Sequence, residues 1–180
     1  MKNDSMITSE SVTEGHPDKL CDQISDAIVD HVLLQDRSAR IRAECAVSSA
    51  IVFIATRFST TAVVDFSQVA RKVIEQVGYT GKAFNAKSCS ILASTQERRA
   101  DGFHLFNEHE LSEEEIDRIP AKNQVTVFGF ACDQTRTLMP LPINLAHRLA
   151  RRLTEIRMDK SLPYVMPDGK VQVGVEYTDR

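Results

Sequence analysis

Apolar residues recur at helical spacing over residues 19–35, where Ile24, Ala27, Ile28 and Val32 share one face and Asp18 or Asp22 is placed to cap the start. Residues 41–53 change register to a β-rich run of apolar and β-branched side chains, which predicts strand structure. Residues 60–64 then lead into Asp65, an N-cap for a second helix that runs to Val77 and stops at Gly78. A short apolar strand is predicted over residues 87–95. Residues 96–123 are polar and read mostly as loop, although Ser112 followed by Glu115 has the capping-box spacing of one short helix. Residues 124–131 read as a strand, residues 144–158 as an amphipathic helix after Pro140 and Pro142, and residues 170–177 as a last strand.

This order of elements lacks the strict strand–helix alternation of a doubly wound fold. It predicts an α+β protein of mixed or antiparallel sheets with helices on one face. Two units are expected: residues 1–123, a sheet-and-helix unit carrying the polar loop 96–123, and residues 124–180, the start of a second such unit. Neither a GxGxxG nor a GxxxxGK[ST] element is present, so backbone amides of a glycine-rich loop are not available to cradle phosphates. Side chains would have to do more of the work of meeting any phosphate.

Composition narrows the partners. The chain is 42% hydrophobic and 26% charged with a formal net charge of -3, which describes an ordinary globular protein without the basic field that holds nucleic acid. Arg148, Arg151 and Arg152 are too few to change that. The longest uncharged apolar run, residues 46–56, is too short to span a bilayer, and no signal-peptide pattern opens the chain, so a cytoplasmic protein without a membrane partner is expected. Cys21, Cys45, Cys89 and Cys132 are spread singly, without zinc-ligand spacing, and read as buried free thiols.

The segment running from Ser9 through Glu14, Gly15, His16, Pro17 and Asp18 to Lys19 is dense in different polar groups and sits immediately before a helix. Helix starts present free N–H groups, glycine removes bulk, His16 can donate to an oxyanion, and Asp18 can hold Mg²⁺. The same residues read as plain helix caps if spacing alone is considered.

SESVTEGHPDKLCDQISDAIVD closely resembles the N-terminal signature of S-adenosylmethionine synthetases. Further stretches fit in the same order: TTAVVDF from Thr60, GY at Gly78, FGFACDQT from Phe128, LMPLPINLAHRL from Leu138 and LPYVMPDGKVQV from Leu162. The resemblance spans nearly the whole chain and implies an enzyme that makes S-adenosylmethionine from ATP and methionine, with a triphosphate as leaving group. It implies that His16 lies beside the triphosphate, that Asp18 is a Mg²⁺ ligand, that Glu44 is a K⁺ ligand, and that Asp168 and Lys170 contact ATP, with Lys170 bringing positive charge to the phosphates. His147, on the amphipathic helix, is expected to pack. His31, His104 and His109 carry no signal.

The sequence also departs from that family. Where its members have a glutamate that meets the methionine ammonium, this chain reads Ala55, Thr56, Arg57, which reverses the charge and opposes an ammonium there. The glycine-rich GAGDQG loop is replaced by residues 120–125, with Asn123 in place of the aspartate while Gln124 survives; Gln96 is a loosely aligned candidate for a methionine-contacting glutamine. The chain resembles only the family's N-terminal half. These departures lie on the methionine side, which leads to the expectation of a split or heteromeric methionine adenosyltransferase: this chain supplies the ATP-phosphate side, and a second synthetase subunit supplies the methionine side and the C-terminal half. Residues 46–55 and 125–131 are the candidate interface strands, unless the chain's own helices cover them. The alternative is a non-catalytic regulatory or scaffolding subunit of a complete synthetase.

Overall fold

The computed structural model describes residues 4–82, 84–97, 111–119 and 124–178. The fold is α+β: β1 (Ser5–Val12), α1 (Pro17–Gln35), β2 (Arg40–Ser48), β3 (Ile51–Ser59), α2 (Phe66–Val77), β4 (Ser90–Glu97), α3 (Glu113–Asp117), α4 (Leu141–Met158) and β5 (Lys170–Tyr177). Among the described residues no helix is long and apolar enough to cross a membrane.

Local signals account for most boundaries. Pro17 opens α1, where a fixed φ suits the first helical position and no amide is lost. Asp65 accepts from the Gln68 amide at 3.0 Å to cap α2, and Gly78, at φ 98°, ends it in the left-handed conformation that a side chain would resist. At α3 the Glu115 carboxylate accepts from both the amide and the hydroxyl of Ser112, at 3.0 and 2.8 Å. The β-rich run at 41–53 resolves into two strands because Ser49, at φ 52°, turns the chain between Ser48 and Ile51.

The strands form two sheets. In one, β3 lies between antiparallel β2 and parallel β4; in the other, β1 and β5 pair antiparallel from Ser5 opposite Tyr177 to Val12 opposite Lys170. Alternation along β3 sends Val52, Ile54 and Thr56 inward, where the aliphatic residues join Leu20, Ile24 and Ile28 of α1 and Val69, Ala70, Val73 and Ile74 of α2 in one core. Ile51, Phe53, Ala55 and Arg57 point outward and stay exposed. Helix α4 packs on the β1–β5 pair through Ala146 and Ala150.

Three expectations need correction. Strand β1 was not anticipated: its Ser-rich sequence carries a weak strand signal, and its partner β5 is remote in the chain. Residues 124–131 are not a strand, because no described segment pairs with them; Val125, Val127, Phe128 and Phe130 are exposed instead, Phe128 at 91%. The thiols are all free, as expected, but among them Cys89 is fully buried while Cys21, Cys45 and Cys132 are half-buried. Burial and the adjacent Cys21 thiol push Cys45 up to about 12.

Candidate functional site

The pairing of β1 with β5 brings the turn after β1 against the loop before β5. The Thr13 amide donates to the Gly169 carbonyl at 2.9 Å, the Thr13 hydroxyl to the Pro167 carbonyl at 2.6 Å, and the Gly15 amide to the same Pro167 carbonyl at 3.2 Å. Thr13 is buried, which suits a hydroxyl with two carbonyls in reach. A Cβ on Gly15 would fall inside the backbone and ring of Pro167, so this approach requires glycine. The Tyr79 hydroxyl donates to the Gly15 carbonyl, tying the end of α2 to the turn as well. Burial and the nearby Asp168 carboxylate both raise Tyr79 above the usual phenol range, against a smaller opposing influence of Arg157.

Out of this clasp comes His16. Its amide donates to the Thr13 carbonyl at 3.1 Å, and its Nδ1 accepts from the Asp18 amide at 3.3 Å as the N-cap of α1. With Nδ1 an acceptor, the neutral ring carries its proton on Nε2, which is left as a donor. The Asp18 carboxylate lies 3.9 Å from Nδ1, with its side chain 94% exposed. Lys170, the first residue of β5, stands opposite Val12, and its ammonium reaches along the same sheet face to an ion pair with Glu10.

Behind the turn, Glu14 is held from α4. Arg157 pairs with Oε1 and the Thr154 hydroxyl donates to Oε2 at 2.5 Å, while the Gln23 amide donates to the Glu14 carbonyl at 2.7 Å. Burial pushes the Glu14 carboxyl up, but the hydrogen bonds from Thr154, the backbone and Arg157 together outweigh it and hold it below the usual range. Arg157 also lies under Gly78, where a Cβ would stand 2.7 Å from its Nη1.

The family model for the N-terminal domain of S-adenosylmethionine synthetase matches residues 4–100, more than half of the chain, and the model for its central domain matches residues 118–180. The chain belongs to the S-adenosylmethionine synthetase family. Within that family frame, His16, Asp18, Asp168 and Lys170 all fall at one end of the β1–β5 sheet: Gly15, next to His16, is bonded to Pro167, next to Asp168. Glu44 lies elsewhere, on the exposed face of the β2–β3–β4 sheet, and its Oε1 accepts from Arg42 Nε at 2.9 Å.

The Ala55–Thr56–Arg57 departure sits on that second sheet too. Arg57 is opposite Arg42 on one side and Gln96 on the other, all exposed. Asn123 lies outside the described residues; Gln124 is exposed. His147 does not pack as expected: it is exposed, with Nδ1 2.8 Å from the Ser11 hydroxyl. Glu10, Glu14, Tyr79 and Arg157 were not singled out by sequence reasoning, although Glu10 and Glu14 belong to the signature segment and Tyr79 to the GY pair. Only Arg157 had no such signal.

Among the described residues no group of three His, Cys, Asp or Glu side chains could hold a metal ion. Mg²⁺ commonly keeps several waters and takes one or two carboxylates plus substrate phosphates, a style of binding that an exposed carboxylate such as Asp18 fits. A K⁺ at Glu44 would compete with the Arg42 guanidinium already paired there.

Proposed function

We propose that this chain is a subunit of a split or heteromeric methionine adenosyltransferase, in which it supplies the ATP-phosphate side of the site and a second synthetase subunit supplies the methionine side. The observation that carries this reading is the clasp of residues 13–15 on residues 167–169, which sets His16, Asp168 and Lys170 around one end of one sheet.

A triphosphate leaving group gathers negative charge as its bond to carbon breaks, so donors and cations already aimed at its oxygens lower the barrier. His16 Nε2–H and the Lys170 ammonium are such groups. Lys170 is neutralised by Glu10 while no phosphate is present, and a polyphosphate would draw the ammonium away from that carboxylate. Asp18 is the residue to hold Mg²⁺, which would neutralise the phosphates. The methionine side is a different matter. Arg57 and Arg42 stand together where the family resemblance calls for a carboxylate, and two guanidinium groups oppose an ammonium. The exposed outer face of the β2–β3–β4 sheet and the exposed apolar run at 125–130 are the surfaces on which the second subunit would sit.

The test is reconstitution with candidate synthetase subunits. His16→Ala and Lys170→Ala, each made in the reconstituted complex, are expected to lower kcat by about 10²-fold or more, as loss of one oxyanion donor does. Near-normal turnover from both variants would support instead a regulatory subunit, a reading favoured by the same Arg42–Arg57 pair. Robust synthesis by this chain alone would count against the split-site proposal.

A further inference from the structure

A polar concavity lies on the other side of the β1–β5 sheet from Glu10 and Lys170. It is a cleft of about 340 Å³ between the end of β1 and α4, lined by Ser11, Glu14, Lys19, His147, Arg151 and Thr154 among others. Side chains alternate along a strand, and Ser11 meets His147 of α4, whereas Glu10 and Lys170 share the opposite face. The cleft is therefore backed onto the candidate phosphate site without being part of it.

Its charge is unbalanced. The Lys19 ammonium and the Arg151 guanidinium have no hydrogen-bond or ion-pair partner among the described residues; the Gln23 side chain meets Lys19 only at its backbone carbonyl. The one carboxylate in the lining, Glu14, has both oxygens engaged, Oε1 by Arg157 and Oε2 by Thr154, so it does not neutralise them. His147 has Nδ1 committed to Ser11, which leaves Nε2 for a ligand. Two unpaired cations, an imidazole and a hydroxyl around one concavity form a donor set suited to a multivalent oxyanion.

We propose that this cleft binds a phosphate-class oxyanion, held by Lys19 and Arg151 with His147 and Ser11 completing the contacts. Ser11 and Lys19 flank the turn that carries His16, so occupancy would be felt on the back of the candidate phosphate site. The proposal does not depend on the role suggested for Lys170.

The test uses the full chain and inorganic pyrophosphate, with calorimetry for affinity and backbone amide shifts for location. In the His16→Ala/Lys170→Ala double variant, which disables the other site, a saturable site is expected to remain, shifting the amides of Ser11, His147 and Arg151. Adding Arg151→Glu should weaken it at least about tenfold, the scale of losing one charge-assisted contact. Arg151→Gln gives a second reading should the reversal disturb the fold. AMP as a second probe assigns the source: tighter binding of pyrophosphate marks a free oligophosphate, tighter binding of AMP a nucleotide phosphate, and either supports the site. Loss of all shifts in the double variant, or undiminished affinity after both changes at Arg151, would overturn it.

Discussion

Arg42 and Arg57 stand directly opposite each other on neighbouring strands, with both side chains on the sheet face that α1 and α2 leave uncovered. Glu44 compensates Arg42 only, so the pair leaves excess positive charge beside the exposed apolar side chains Ile51, Phe53 and Leu92. Exchange of Arg57 for glutamate is expected to change the stability of the isolated chain by no more than about 0.5 kcal/mol, because cross-strand pairs in water are weak. In a reconstituted complex the same change should slow association markedly if the partner brings carboxylates to this face. Unaltered association kinetics in Arg57→Glu would remove this face from the partner interface.

Glu14 offers a pH test. Its folded-state pKa is depressed, so its interactions stabilise the protein fully above the ordinary carboxyl value, and that contribution is lost as pH falls through the folded pKa. Glu14→Gln should therefore cost about 2 kcal/mol at pH 7, where it leaves Arg157 without its carboxylate, and progressively less in acid. Urea unfolding at pH 7 and again at low pH measures both values; an equal difference at each pH would show that the ion pair is not what matters.

Substitution at Gly15 addresses the clasp. An alanine there collides with Pro167 backbone as well as ring, neither of which can swing aside as a flexible side chain would. Gly15→Ala is expected to lower stability by roughly 1–3 kcal/mol and to weaken ATP binding in the reconstituted complex more than it weakens assembly. A variant with wild-type Tm and ATP affinity would mean that the turn tolerates displacement.

Thr56 is the opposite case. It is 3% exposed on the inner face of β3, and its hydroxyl has no hydrogen-bond partner among the described residues. Thr56→Val replaces an unsatisfied buried polar group by a methyl of similar shape, so a gain of about 1 kcal/mol in thermal or chemical unfolding is expected. A loss of stability would indicate that the hydroxyl is bonded in solution.

What could be read from the sequence follows the range over which each signal acts. Helix α2 was legible from Asp65 to Gly78 because both caps are local chemistry, and the limits of β5 followed from its alternating pattern. His16, Asp18, Asp168 and Lys170 came from motif resemblance, and their grouping depends on β1 pairing with β5, for which no nearby residue gives a sign. The same limit hid the Glu14–Arg157 pair, whose members are 143 residues apart. Residues 124–131 illustrate the converse: an alternating apolar run promises a strand, but a strand exists only where another backbone receives its hydrogen bonds, and no described segment does.

The bond between Thr13 and Pro167 spans 154 residues. A ribosome delivers its two halves far apart in time, so the His16 turn must wait, unclasped, while the intervening chain is made, and β1 spends that interval as a lone edge open to wrong pairing. Folding of the β2–β3–β4 sheet with α1 and α2 involves shorter loops and is expected to come first. Assembly of the candidate phosphate site then follows that step, and damage to β5 would leave the hydrophobic interior intact while the turn that carries His16 stays unclasped.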